Sequence, residues 1–484
     1  MARPGPPRRR PPPRRVSAVG PSPRRVALAA AVGATIEWYD FFLYGTAAGL
    51  VFDKLYFNGL SGTAATFAAF GTFAVGFLAR PVGGLVFGHF GDRIGRKAML
   101  IWTLGIMGAG TALIGLLPSY DSIGVLAPIL LVLLRILQGI GVGGEYGGAV
   151  LLAVEFAPPE RRGFFGSFAH IGVPGGLFLA SGAFALASRL PEEQFLAWGW
   201  RVCFLLSIVL LAIGAWIRLS VMETPAFREV QQRKEVSAMP VRELFRNQPR
   251  TLLLGMGTRF VEGFTFNLYS VFLLAYAVNT VGVAKSLVLN AIMVGAVLGV
   301  VLTLVSGALS DRFGRKPVYR VGALLGLALA FPVAAAVQSG GGLAVSVAFI
   351  GGLGLVYGTV YGPLAAFWSE LFDTRYRYSA LSALYQLSGV VASGLTPLIA
   401  AWLVTLGGDS LWLVAGYNVV VALLSLTCMA LLPETRGRDL TVSPPREGSS
   451  AGASGPSAPS VRPAGGRHAA AVPTPAERPA ARAR

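Results

Sequence analysis

The sequence predicts an all-α, polytopic membrane protein with twelve transmembrane helices in two pseudo-symmetric six-helix bundles. Three observations carry this expectation. Of 484 residues, 54% are hydrophobic and only 13% charged, with a mean hydropathy of +0.62, whereas soluble proteins carry about 25% charged residues. Apolar runs of roughly 20 residues, the length that crosses a hydrocarbon core about 30 Å thick, recur twelve times along the chain. A polar interval at 221–250 then divides those runs six and six. The 62 glycines agree, because small residues let helices approach closely in lipid. Cys203 and Cys428 both lie in apolar runs, which argues against a disulfide scaffold or a cysteine metal site.

Taken in order, residues 1–25 hold eight Arg, eight Pro and no acid, and cannot bury enough apolar surface to fold. This basic end is expected to be a disordered tail. The apolar pattern that follows runs past Glu37 to about Phe52, too long for a cleaved leader. The expected spans are 27–52, 65–88, 98–117, 122–150, 163–188 and 199–220, forming an N-terminal bundle over 26–220. After the linker at 221–250 come 251–278, 285–309, 317–338, 342–368, 379–405 and 410–432, forming a C-terminal bundle over 251–432. Residues 433–484, rich in Pro, Gly and Ala, are expected to be a second disordered tail.

Charge asymmetry sets the orientation. The even-numbered loops and both tails hold nearly all the Lys and Arg, including Arg93, Arg96, Arg161, Arg162, Arg312, Arg315 and Arg377. The positive-inside rule therefore places both termini in the cytoplasm, and an even number of spans agrees, since it leaves both ends on one side.

The chain repeats itself. Gly88-His-Phe-Gly-Asp92-Arg93-Ile-Gly95-Arg96-Lys97 follows the second span, and Gly307-Ala-Leu-Ser-Asp311-Arg312-Phe-Gly314-Arg315-Lys316 follows the eighth. A weaker pair follows spans four and ten: Glu155 before Arg161-Arg162, and Glu370 before Arg375 and Arg377. Basic turns alone would not reproduce the order G-x-x-x-D-R-x-G-R-K twice. Parallel halves of this kind build transporters that rock one bundle against the other.

The doubled loop resembles the signature of the major facilitator superfamily. Glu37-Trp38-Tyr39-Asp40-Phe41-Phe42, Arg80-Pro81, Arg135-x-x-Gln138-Gly139 through Gly148, Trp198-Gly-Trp200-Arg201 and Glu223-Thr-Pro225-x-Phe227 are similar to its metabolite:proton symporter family. The resemblance covers about 26–440 and implies permeation of shikimate, α-ketoglutarate, citrate, other dicarboxylates, or proline and glycine betaine.

Seven charged residues fall inside the expected spans and clear of their ends: Glu37, Asp40, Arg80, Arg135, Glu145, Arg259 and Glu262. A central charge costs about 2.5–3.5 kcal/mol to insert, so these residues must pair or face a wet cavity. In one reading they are ion pairs that fix helix register. In the other, Arg80, Arg135 and Arg259 fork onto a substrate carboxylate, with Tyr39 and Gln386 beside them, while Glu37, Asp40, Glu145 and Glu262 carry protons. Trp38, Tyr269, Tyr361 and Trp368 are further expected walls. Glu37 and Asp40 share a helix face at i, i+3, as do Arg259 and Glu262, where a mutual salt bridge is the plainer account. His170 either satisfies a helix-packing face or joins the proton path. Asp92, Arg93, Arg96, Asp311, Arg312, Arg315, Glu155 and Glu370 are expected to gate the cytoplasmic side by caps and ion pairs made only when it is shut.

Gly139-Ile-Gly141-Val-Gly143-Gly144 matches G-x-G-x-x-G but lies inside one apolar helix, where no strand precedes it. Neither a P-loop nor a Cys/His cluster occurs in the sequence. The expected protein is no enzyme and needs no cofactor or metal. It binds no nucleic acid, since its arginines are split between tails and short loops. It sits in the cell membrane against lipid, acts as a monomer, and takes up a small organic acid such as shikimate or a dicarboxylate with protons by alternating access. A proline or betaine symporter is the alternative, with an antiporter or a transporter-like sensor behind it.

Overall fold

A computed structural model describes residues 23–440 except Gly95, 144–145, 221–239 and Arg375. Both tails beyond that range, most of the linker and Glu145 therefore lie outside the described residues. Helices account for most of the described chain, and no strand occurs among the described residues.

The membrane-length elements are α1 (Pro23–Leu50), α2 (Gly62–Ile94), α3 (Arg96–Leu116), α4 (Leu126–Glu155), α5 (Pro159–Ala187), α6 (Trp200–Ser220), α7 (Pro249–Thr280), α8 (Lys285–Phe313), α9 (Arg315–Gln338), α10 (Gly342–Leu371), α11 (Arg377–Leu406) and α12 (Trp412–Leu431). Eleven of these regions are long and apolar enough to cross a membrane, and α3 adds the shorter apolar stretch Trp102–Leu116. Hydropathy placed them to within a few residues. One helix, Pro240–Asn247, lies inside the expected linker.

Two bundles follow from the packing. In the first, α1 packs on α5 and α6, and α4 on α2 and α3. In the second, α12 packs on α9 and α7, and α8 on α10. The seam between them is closed by α5 on α8, α2 on α11, α1 on α7, and α4 on α11. Large apolar side chains such as Leu253, Leu343 and Val420 cover the outside, while α7 is almost wholly buried. That is the pattern of a bundle whose solvent is lipid.

Glycine sets the closest approach inside the first bundle. A Cβ on Gly139 of α4 would strike the Gly76 carbonyl of α2 and sit 2.9 Å from Ala79 Cβ. The G-x-G-x-x-G match is thus a helix-packing stripe. Wide π-type turns interrupt α7 at Leu268–Leu273, α10 at Gly351–Val356 and α11 at Val390–Gly394. Those in α7 and α11 pack against α1 and α2, and so re-aim side chains at the seam. Both cysteines are buried and unpaired.

Candidate functional site

The first cluster lies in the N-terminal bundle. Asp40, Phe41, Gly76, Arg80, Met107, Arg135, Gln138, Gly139 and Val142 line a cavity that gives the centre of a water molecule ≈ 10 Å³ of space. That is about one water. Asp40 is 2% exposed, and neither carboxylate oxygen meets a protein donor in hydrogen-bonding geometry. Arg80 and Arg135 are equally buried, and Nε and Nη2 of each lack a protein acceptor. Rings hold both guanidinium groups. Arg80 lies over Phe77 at 4.2 Å, Phe41 at 4.4 Å and Trp38 at 5.5 Å. Arg135 lies over Tyr44 at 4.0 Å, Phe41 at 4.7 Å and Phe73 at 5.4 Å. Arg135 Nη1 donates to Gln138 (3.1 Å), whose amide donates to Thr111 (2.7 Å). Gly76 makes room, since a Cβ there would strike Arg135 Nε and lie 3.0 Å from its Cζ.

The second cluster crosses the seam. Arg259 of α7 stacks on Tyr385 at 3.7 Å, donates to the Tyr385 carbonyl at 3.0 Å, and faces Glu262 at 3.4 Å. The i, i+3 salt bridge expected on this helix is therefore present. Tyr385 also stacks on Tyr146 at 3.4 Å. His170 is fully buried, stacks on Tyr361 at 3.7 Å, and places Nδ1 2.9 Å from the Tyr361 carbonyl. A carbonyl only accepts, so Nδ1 carries the proton, and in the neutral ring Nε2 accepts from the Tyr146 hydroxyl at 2.9 Å. Gln386 donates to the Gly143 carbonyl at 3.0 Å, again across the seam.

Other expected residues fall elsewhere. Tyr39 donates to the Cys203 carbonyl at 2.9 Å, tying α1 to α6 away from the cavity. Glu37 is half-buried, and the cavity lining does not include it. Glu145 and the side chains of Asp92, Arg93 and Arg96 lie outside the described residues.

The second copy of the repeated loop is laid out in full. Gly314 turns the chain at φ +102°, a region that favours glycine. Arg315 and Lys316 then open α9, and their backbone N–H groups donate to Glu434 at 3.0 Å each. Asp311 accepts from the Gly163 and Phe164 N–H groups at 2.8 and 2.9 Å, capping the start of α5 from the other bundle. Arg315 joins Asp311 (2.7 Å) and forks onto Glu370 (3.2 and 3.0 Å). Glu155 meets Arg377 across the seam at 3.5 Å. Arg312 is exposed, with its guanidinium over Phe313. Residues 433–440, expected to belong to the disordered tail, instead form a strap. Thr435 donates to Glu370 (2.7 Å), and Arg162 donates to the Arg438 carbonyl (2.7 Å). The tail composition of 443–484 masked this anchored stretch.

On the opposite face, Glu192 gives one carboxylate oxygen to Lys54 (3.1 Å) and the other to Lys285 (3.0 Å), joining the two bundles. Asn279 donates to the Gly49 carbonyl nearby (3.1 Å).

Paired bundles closed at both faces, with charged side chains buried between, define a polytopic membrane transporter. The chain belongs to the Major Facilitator Superfamily, whose family description it matches over residues 30–393. It is 41% identical over 420 residues to the shikimate transporter of Escherichia coli, spanning 85% of this chain and 95% of that one. It is 40% identical to an inner membrane metabolite transport protein of the same bacterium, over 87% and 96% of the two chains. The proline/betaine transporter of Salmonella typhimurium is 36% identical, over 86% and 85%. The crystal structure of a D-xylose–proton symporter superposes with a TM-score of 0.65 at 23% identity, over 85% and 98%, and shares the fold. The chain is a transporter and not an enzyme.

Proposed function

We propose that the chain carries a small organic acid together with protons across the cell membrane by alternating access. The observation that carries this reading is Asp40: a buried carboxylate without a well-aligned donor, in one cavity with two arginines whose Nε and Nη2 atoms are unpaired. An unpaired buried charge is costly. A proton on Asp40 relieves that cost, and so does an arginine moving onto it. A substrate carboxylate competes for the same guanidinium edges, so proton and substrate are linked through one set of donors. Similarity to the shikimate transporter supports a carboxylate substrate, and similarity to proline/betaine transporters makes a zwitterion the second reading.

The remaining assignments follow. Arg80 and Arg135 bind the carboxylate, Arg259 and Glu262 face it from the second bundle, and His170 and Gln386 hold the seam shut. Asp311, Arg315, Glu370, Glu155 and the strap form the gate on the basic-loop face. That face and both termini are assigned to the cytoplasm, a reading supported by the distribution of Lys and Arg. The protein works as a monomer in lipid, driven by the pH gradient and by about 2.3 kcal/mol per charge per 100 mV.

The test is uptake of labelled shikimate, α-ketoglutarate, citrate, succinate, proline and glycine betaine into proteoliposomes under an inward proton gradient, with and without a protonophore. Protonophore-sensitive accumulation of one acid is expected. Efflux of a preloaded acid on outside acidification, without uptake, identifies an antiporter and defeats the reading.

A further inference from the structure

A quaternary ammonium group has no N–H to donate and is recognised by open aromatic faces. The rings around this site are numerous, and many already face a guanidinium or another ring. Trp38, Phe41 and Phe77 hold Arg80, at 5.5, 4.4 and 4.2 Å. Phe41, Tyr44 and Phe73 hold Arg135, at 4.7, 4.0 and 5.4 Å. On the second bundle, Tyr385 lies between Arg259 (3.7 Å) and Tyr146 (3.4 Å), and Tyr361 is stacked on His170 (3.7 Å). Phe266 covers Tyr357 at 4.5 Å.

A guanidinium stacked on a ring still has its edge available. Nε and Nη2, the two atoms that make the side-on fork, are the ones left without a protein partner on both Arg80 and Arg135. Each arginine thus keeps a bidentate edge free of protein acceptors, the pair of donors that a carboxylate takes. Arg259 is engaged differently, with Nη1 on the Tyr385 carbonyl and Nε towards Glu262.

We infer that these aromatic cages are filled by the chain's own guanidinium groups, and that Phe41, shared by two of them, makes the site select carboxylate anions over quaternary-ammonium zwitterions. Phe41 is a specificity-determining residue that acts by holding both forks in place. This rests on the cavity being the substrate site. It divides the two substrate readings by chemistry, since either solute can put a carboxylate on a fork but the betaine also needs a cage for its ammonium group, and that cage is already taken.

The experiment is thermal-shift titration of the purified full chain with shikimate, succinate, glycine betaine and tetramethylammonium. The wild type is expected to respond to the acids and not to the two quaternary ammonium compounds. Arg80→Ala empties the cage of Trp38, Phe41 and Phe77, and should lower the half-saturating tetramethylammonium concentration about tenfold while weakening the acids. Adding Phe41→Leu to that variant should abolish the gain. If Arg80→Ala gives no cooperative melt, Arg135→Ala opens the second cage to the same probe. A wild type that binds glycine betaine or tetramethylammonium as well as shikimate overturns the inference. So does a folded cage variant that gains nothing, or a wild type that binds no acid. Proteoliposome uptake keeps the readings apart. Acid binding without uptake defeats the transport reading and leaves the selectivity standing, whereas proton-driven betaine uptake does the reverse.

Discussion

Asp40 and Glu37 show how much one helical step decides. Three residues on a helix turn through about 300°, which leaves Glu37 half-buried while Asp40 lines the cavity. Asp40→Asn is expected to abolish accumulation against a gradient and to keep counterflow exchange, because the arginine forks remain. Loss of both activities in a folded variant would make Asp40 structural. Gly76→Ala should cost about 1–3 kcal/mol through overpacking, visible as a lower melting temperature, and should displace Arg135 and cut acid affinity. The sequence identified Asp40, Arg80, Arg135 and Arg259 as charges a membrane rejects. It did not separate Asp40 from Glu37, because i, i+3 spacing names a face and not what lies opposite. Nor could it show Tyr39 donating to the Cys203 carbonyl, since a backbone acceptor carries no residue identity. Phe41 was visible only as part of a motif; two nearby arginines on other helices gave it a role.

At the scale of elements, hydropathy located the spans because lipid demands about 20 apolar residues of each. The π-type turns in α7, α10 and α11 had no such signal. The repeated loop was legible as a pattern, and its second copy now has a physical account. Gly314 turns the chain, two N–H groups start α9, and Asp311 caps α5 from across the seam. Asp311→Ala should cost about 0.5–2 kcal/mol of cap energy and raise hydrogen exchange at Gly163 and Phe164 in proportion. Burial raises the Glu434 carboxyl, but the N–H groups of Arg315, Lys316, Arg436 and Thr435 outweigh it and hold the group below the ordinary glutamate range. A lowered value means that the strap's attachment is full above the unfolded carboxylate range and is lost as pH falls through the lowered value. Relative to the intrinsic rate at each pH, exchange at Arg315 and Lys316 should therefore rise in acid. Glu434→Gln should raise it about two- to fivefold at neutral pH, as suits an exposed charge, and should flatten that acid response.

For the molecule as a whole, the seam is shut at both faces: Asp311, Arg162 and Glu155 bind across it at one, and Glu192 and Asn279 at the other. A site sealed from both sides is the state through which a rocking transporter passes. Glu192→Gln removes a clasp in which each lysine takes its own carboxylate oxygen. Exposed pairs are worth about 0.2–1 kcal/mol, so its loss should shift the population open on that face by up to about fivefold. Spin labels on Ser61 and Ser339, both exposed, would read this as a longer-distance component. High salt should mimic the substitution in the wild type and add nothing in the variant. The six-and-six division was legible from one polar interval. The closed state was not, because it depends on pairs far apart in sequence.

The strap at 433–440 also imposes an order in time. Its residues follow the last span, so they leave the ribosome after every helix of the second bundle has been made. Until then the first N–H groups of α9 have no carboxylate, and Glu370 lacks the Thr435 hydroxyl. The second bundle can insert helix by helix, but its basic-loop end is fastened only when synthesis of the body is complete. A nascent chain stalled after α12 would hold every span and still lack its last fastening.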